Sequence, residues 1–110
     1  MPGDARLLRR LVRNLLENAR RHAAGTAIEA LVERYGPGAR LRVADRGPGV
    51  PEAERERIFE PFYRPPGAPE TGAGYGLGLA LVRQIARTHG GEARCLPREG
   101  AGTAFEVTLR

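Results

Sequence analysis

Two asparagines four residues apart are the side chains whose type and spacing best suit chemistry. Asn14 and Asn18 are the only asparagines in the chain, and Arg21 follows one helical turn later. At about 100° per residue the three side chains share one strip of a helix, at the edge of its apolar stripe. An amide oxygen is a neutral, hard ligand that suits Mg²⁺, and an arginine can contact a phosphate. The alternative is that the amides only solvate a helix edge.

A second candidate is the stretch "DRGPG", which begins at Asp45 directly after a predicted strand. A buried carboxylate at a strand end can accept a hydrogen bond from an exocyclic amine, such as that of adenine. Gly47 and Gly49 allow the backbone to approach a flat ring closely. The alternative is an ordinary turn of aspartate, glycine and proline.

The third candidate is "GAGYGLGLAL", in which four alternate glycines lead into a predicted helix. Free backbone N–H groups at a helix start bind phosphates. A dinucleotide-binding fingerprint needs glycines at its first, third and sixth positions, but counting from Gly72 or Gly74 the sixth residue is a leucine. No strand precedes the stretch either. It is therefore a different kind of phosphate cradle or a flexible hinge, and both alternatives stay open.

The composition excludes several classes of protein. All 18 basic residues are arginines, and without lysine neither a Walker A loop nor a protein-kinase fold can form. The net charge is +5, but the arginines are scattered among 13 acids, so no nucleic-acid partner is predicted. No apolar run approaches the roughly 20 residues that span a bilayer, so no direct membrane contact is predicted. The single cysteine, Cys95, favours a cytoplasmic location.

Hydrophobic periodicity predicts two long helices, two strand pairs and one short helix. In chain order these elements cover residues 4–24, 26–35, 39–45, 52–58, 77–89, 92–97 and 103–109. The order predicts one α+β domain over residues 1–110, a two-layer sandwich with helices on one face of a mixed, mostly antiparallel sheet. Proline and glycine dominate residues 65–76, which are predicted to form a mobile lid.

Four sequence stretches together resemble a known family. "NLLENARRH", "DRGPGVP", "FEPFYR" and "GYGLGLAL" occur in the order of the asparagine box, first glycine box, phenylalanine box and second glycine box of sensor histidine kinases. These kinases belong to the Bergerat-fold ATPases, a superfamily that also includes gyrase, the Hsp90 chaperones and the mismatch-repair ATPases. "GTAF" resembles the closing strand motif, so the resemblance covers about residues 4–109. It implies a domain that binds ATP and Mg²⁺ and passes the γ-phosphate to a histidine.

The resemblance assigns roles by position. Asn18 matches the Mg²⁺ ligand, Asn14 the upstream asparagine lining the same site, and Arg21 a basic phosphate contact. Asp45 matches the aspartate that reads adenine, and Thr103 the threonine that supports it. The other matched nucleotide-binding positions are His22, Gly47, Gly49, Gly74, Gly76, Leu77, Gly78 and Leu79.

Position 14 also separates subfamilies. The hydrolytic relatives have a glutamate there that activates water, and an asparagine cannot act as a general base. Slow hydrolysis and transfer to a histidine are therefore predicted. Two alternatives stay open: a stand-alone protein serine kinase of the anti-sigma type, which Asn14 argues against, and a non-catalytic nucleotide-binding module.

The sequence also departs from a complete kinase. The only histidines are His22, inside the asparagine box, and His89, which is predicted to be a helix C-terminal residue. No dimerisation or phosphoacceptor domain is recognised, and the strand that usually precedes the first box is missing. The prediction is an N-terminally truncated, monomeric catalytic domain. Its partners would be the histidine-bearing dimerisation domain of the parent kinase and a response regulator downstream.

Overall fold

The computed structural model describes residues 5–22, 27–47, 49–61, 63, 78–97 and 102–110. Within these ranges the elements are α1 (Ala5–His22), β1 (Glu29–Tyr35), β2 (Gly38–Asp45), the 3₁₀ turns Glu52–Glu54 and Arg57–Phe59, α2 (Gly78–Thr88), β3 (Glu92–Pro97) and β4 (Thr103–Leu109). The segment 52–58 was predicted as one short helix, and the structure divides it into two 3₁₀ turns instead.

The four described strands form one sheet in the order β1-β2-β4-β3. Every neighbouring pair among them is antiparallel. The predicted α+β sandwich is confirmed, although the parallel component of a mixed sheet does not occur within the described strands. The predicted hairpin joins β1 to β2 through Gly36, whose φ of +56° suits glycine.

The core lies between the helices and one face of the sheet. Each long helix contributes an apolar stripe at helical spacing, and the facing sheet positions alternate with exposed ones. The core cluster comprises Leu11, Leu15, Ala19, Leu41, Val43, Phe59, Val82, Ile85, Ala86, Ala93, Cys95, Phe105, Val107 and Leu109. Full burial of one such leucine contributes about 1.5–3 kcal/mol.

The edge strand β1 lies outside this core. Val32 is opposite Leu41 in the strand register, so both side chains lie on the helix-facing side of the sheet. Leu41 is buried, whereas Val32 remains 68% exposed. In the described part of the chain the helices pack mainly against the other three strands, so Val32 stays exposed, whereas Ile28, just before β1, packs partly buried against the core.

No helix in the described part of the chain has the length and apolar character that crossing a membrane requires.

Candidate functional site

The end of β2 holds the predicted base-reading carboxylate in a fixed position. Asp45 is only 3% exposed, and its Oδ1 accepts a 2.9 Å hydrogen bond from the backbone N–H of Gly47. Thr103 begins β4 directly opposite Asp45 in the strand register and is 5% exposed. Side chains opposite each other in an antiparallel pair lie on the same face of the sheet. The structure thus brings together three of the residues that the sequence predicted.

Two glycines with positive φ make this corner compact. Gly49 has φ +81° and Gly102 has φ +102°. A Cβ on Gly102 would lie 2.0 Å from the backbone oxygen of Asp45, and a Cβ on Gly49 would lie 3.3 Å from the oxygen of Gly102. Gly102 therefore packs directly against the backbone of Asp45, and sequence reasoning did not assign it a role. Its only signal was its place in "GTAF", immediately before the closing strand.

The predicted asparagine strip lies along the half-buried edge of α1. Asn14 and Asn18 flank the buried residues Leu15 and Ala19. Asn14 Nδ2 donates a 3.3 Å hydrogen bond to the backbone oxygen of Gly78, the first residue of α2. This amide thus links two helices that are 64 positions apart in sequence, and it does more than solvate a helix edge.

The remaining predicted residues fall into three groups. Arg21 is exposed near the end of α1, and His22 ends that helix, with its side chain outside the described part of the structure. Leu79 packs half-buried against the core at the start of α2. The rest of the second glycine box lies outside the described residues, namely Gly74, Gly76 and Leu77. The lid predicted over 65–76 lies outside them as well.

Gly78 begins α2 without a close neighbour among the described residues. A Cβ added to Gly78 would meet no atom within 4 Å, and the φ of Gly78 is not positive. Nothing among the described neighbours therefore requires glycine at this position. The free N–H groups and the positive end of the helix dipole make such a helix start suitable for a phosphate.

The donor set of this region suits Mg²⁺. Among the described residues no group of three or more His, Cys, Asp or Glu side chains is arranged to hold a metal ion. Mg²⁺ is commonly held by only one or two protein oxygens, with substrate phosphates and water completing its octahedron. The amide oxygens of Asn14, whose side chain contacts the start of α2, and of Asn18, one helical turn further along α1, fit that requirement.

Two ionisable side chains in the described part of the chain have structural roles. Burial raises the pKa of the Cys95 thiol to about 12; the guanidinium of Arg55 acts to lower it, and the carboxylate of Asp45 acts to raise it. The thiol therefore stays protonated and unreactive at neutral pH. The ring Nδ1 of His89 lies 2.8 Å from the carbonyl oxygen of Ile85, in the last turn of α2. The prediction of a helix C-terminal role for His89 is confirmed.

Comparison with known proteins agrees with this geometry. The sequence profile of the family described as "Histidine kinase-, DNA gyrase B-, and HSP90-like ATPase" matches residues 3–110. The sensor histidine kinase GtrS of Pseudomonas aeruginosa is 42% identical over 109 residues, which cover 99% of this chain and 22% of that protein.

Two solved structures are similar throughout the chain. The mycobacterial sensor histidine kinase MprB superposes with a TM-score of 0.85 at 36% identity, over 97% of this chain and 74% of that one. Full-length ShkA in complex with AMPPNP superposes with a TM-score of 0.79 at 32% identity, over 94% of this chain and 21% of that one. The chain therefore spans only a part of these longer proteins.

Proposed function

Because the chain belongs to the family of histidine kinase-, DNA gyrase B- and HSP90-like ATPases, we propose that it binds ATP with Mg²⁺ and donates the γ-phosphate to a histidine. The acceptor would lie on a separate dimerisation domain of the parent two-component sensor kinase. A response regulator would then take the phosphoryl group. In this proposal residues 1–110 form one catalytic domain.

The observation that carries the proposal is the hydrogen bond from Asn14 Nδ2 to the oxygen of Gly78. A carbonyl oxygen needs a donor, which an amide supplies and an ionised carboxylate cannot. Position 14 is thus used as a donor that holds two helices together, and it offers no base to activate water. An ATP site without such a base preserves ATP for a better nucleophile.

The base end of the site comprises Asp45, Gly47, Gly49, Gly102 and Thr103. In the proposal Asp45 accepts a hydrogen bond from the exocyclic amine of adenine. The Gly47 N–H already holds Oδ1 in place, so little reorganisation accompanies binding. Gly49 and Gly102, both with positive φ, let the turn and the start of β4 pack closely around Asp45, which keeps the carboxylate in place.

The phosphate end comprises Asn14, Asn18, Arg21 and Gly78. Asn18 is the proposed ligand of Mg²⁺, which when bound would neutralise charge on the phosphates. The backbone N–H groups at the start of α2 would contact the phosphates, and Arg21 would add positive charge from the end of α1. The acceptor imidazole nitrogen then forms its bond to the γ-phosphorus while the bond to the bridging oxygen breaks and ADP leaves. Positioning and charge neutralisation supply most of the catalysis in such transfers.

The proposal is tested first by binding. A fluorescent ATP analogue is titrated into wild type with and without Mg²⁺, and into Asn18→Asp and Asp45→Asn. We expect Mg²⁺-dependent binding to wild type, a changed Mg²⁺ dependence in Asn18→Asp, and weak binding to Asp45→Asn. Arg87→Gln is the matched control, because Arg87 is an exposed residue on α2 that pairs with Glu92 away from both ends of the site. Absence of binding to wild type would refute the proposal.

The transfer step needs a second experiment. The cognate helical domain is added with labelled ATP, and acid-labile phosphate on its histidine is measured. Hydrolysis by the isolated chain should be slow, and Asn14→Glu should raise it at most modestly. Rapid steady-state hydrolysis by wild type would instead indicate an ATPase.

A further inference from the structure

Arg83 has a mostly buried side chain, and it belongs to neither the base end nor the phosphate end of the proposed site. Its side chain is 16% exposed, although arginine is ordinarily a surface residue. The guanidinium carbon lies 4.4 Å from the centroid of the Phe59 ring, and Nη2 lies 2.6 Å from Glu56 Oε1. One side chain of α2 therefore holds the 3₁₀ turn Arg57–Phe59, called here the Phe59 turn, against that helix.

Burying a charged guanidinium costs more free energy than a role in packing alone would justify. Arg83 Nε is buried and has no hydrogen-bond partner among the described residues, and Glu92 Oε1 lies 3.6 Å from it, beyond hydrogen-bond distance. A guanidinium cannot lose its charge to relieve this. The link between α2 and β3 does not need it either, because Arg87 already pairs with Glu92 at 3.2 Å. The specific contribution of Arg83 is its flat cation against Phe59 and its pair with Glu56.

Phe59 is in turn fixed to the sheet. It is 2% exposed, and its ring meets that of Phe105 on β4 edge to face, with centroids 6.1 Å apart. The chain of contacts therefore runs from β4 through Phe59 and Arg83 into α2. The first residue of α2 is Gly78, whose oxygen accepts the hydrogen bond from Asn14. In sequence, the Phe59 turn precedes and α2 follows residues 65–76.

We propose that Arg83 is a positioning residue for the phosphate end of the site: by holding the Phe59 turn against α2, it sets where Gly78 lies relative to Asn14. This inference rests on the proposed function, because it concerns how that site holds phosphates. Arg83 itself touches neither nucleotide nor metal. Its loss should weaken binding of the phosphates and leave recognition of the base unchanged.

The first test needs no nucleotide. The chain contains only three side-chain amides, those of Asn14, Asn18 and Gln84, so three NH₂ signals report on them in a ¹⁵N-correlated NMR spectrum. Arg83→Met keeps the apolar bulk of the side chain and removes its cation. We expect it to shift the Asn14 signal and the Gly78 amide, while the amides of Gly47 and Thr103 stay in place. An unmoved Asn14 signal would overturn the proposal.

The second test separates phosphate binding from base binding. Arg83→Met should weaken ATP binding about tenfold, the size expected for a desolvated cation–π contact and its ion pair. Adenosine affinity, measured by NMR titration, should change less than about twofold. Arg83→Lys restores the charge without the flat guanidinium and should give an intermediate ATP affinity. Arg87→Gln, the matched control on the same helix, should change neither affinity.

The outcomes distinguish this inference from the proposed function. Equal losses of ATP and adenosine affinity in Arg83→Met would show a general effect on the fold and overturn the positioning role. If wild type binds no ATP, the proposed function fails, whereas the Asn14 signal still decides whether Arg83 positions the start of α2.

Discussion

The proposed base end and the proposed phosphate end of the site are built from different parts of the chain. The base end is made by backbone: two central strands, a turn that hydrogen-bonds to its own aspartate, and two glycines with positive φ. The phosphate end is made by side chains that reach between separate elements. Asn14 reaches from α1 to α2, and Arg83 reaches from α2 to the Phe59 turn.

This difference determines how each end can fail. A backbone corner closed by a contact such as Gly102 to Asp45 has no room for an added atom, so a small change there should disturb the carboxylate directly. A link between two side chains can be weakened gradually, because the elements it joins remain packed through the core. A single substitution at the base end should therefore disrupt that end as a whole, whereas substitutions at the phosphate end should weaken it in steps.

The largest effect is expected from Gly102→Ala. A φ of +102° is unfavourable for alanine by about 1–3 kcal/mol, and the new Cβ would also lie 2.0 Å from the Asp45 oxygen. The free energy of unfolding should fall by about 3 kcal/mol or more, and ATP binding should be lost. Chemical denaturation and nucleotide titration measure both.

Two other glycines provide matched controls for Gly102→Ala. Gly36 has φ +56° but nothing within 4 Å of an added Cβ, so Gly36→Ala isolates the cost of the backbone conformation, about 1 kcal/mol. Gly78 has neither constraint, and Gly78→Ala should leave the free energy of unfolding within about 0.5 kcal/mol. If all three variants lost the same stability, the close approach at Gly102 would not matter.

A smaller effect is expected from Asp45→Asn. The amide oxygen of an asparagine can still accept from the Gly47 N–H, so the turn should survive with little loss of stability. In the variant the oxygen stays paired with the Gly47 N–H, so the atom left for the adenine amine is an NH₂ group that cannot accept, and ATP affinity should fall about 10- to 100-fold. Inosine triphosphate has a carbonyl oxygen in place of the exocyclic amine, so it should bind weakly to wild type, and more tightly to the variant, whose NH₂ group can donate to that oxygen. A large preference for inosine triphosphate in wild type would contradict the role of Asp45.

At the phosphate end, Asn14→Asp should have a moderate effect. The variant cannot donate to the Gly78 oxygen and places a carboxylate beside it, which should lower the free energy of unfolding by about 1 kcal/mol. Because carboxylate protonation restores a donor, the loss should shrink as the pH falls towards about 4. Thermal unfolding across pH measures this, with wild type as the reference. A loss as large as that of Gly102→Ala would remove the difference between the two ends.

Much of this architecture could be predicted from the sequence, because its signals are local. Alternating apolar residues and flanking glycines placed β3 and β4 at the observed 92–97 and 103–109. Asp45 and Thr103 were both expected at the nucleotide, and the strand register places them opposite each other. The distribution of the roles among the site residues remains a prediction, since it depends on a bound nucleotide.

The features that the sequence did not reveal depend on contacts between distant segments. The role of Gly102 follows from the approach of Asp45, 57 positions earlier, and a sequence pattern does not contain that distance. In the sequence Arg83 is one arginine among many on a helix, and only the structure shows that its guanidinium lies over the ring of Phe59. Val32 belongs to a regular alternating pattern, but periodicity cannot show that this position on the edge strand stays exposed beside the described helices.

The smallest effect is expected from Cys95, and it tests how well the core beneath the base end is sealed from water. Burial raises the pKa of the thiol from 9.0 to about 12, so the folded state favours the protonated form. The resulting stabilisation is complete below about pH 9 and is lost as the pH rises towards 12. Relative to Cys95→Ala, wild type should therefore lose about 1 kcal/mol of unfolding free energy per pH unit above about pH 9, and nothing below it. Equal pH profiles for the two proteins would mean that water reaches the thiol in the folded protein.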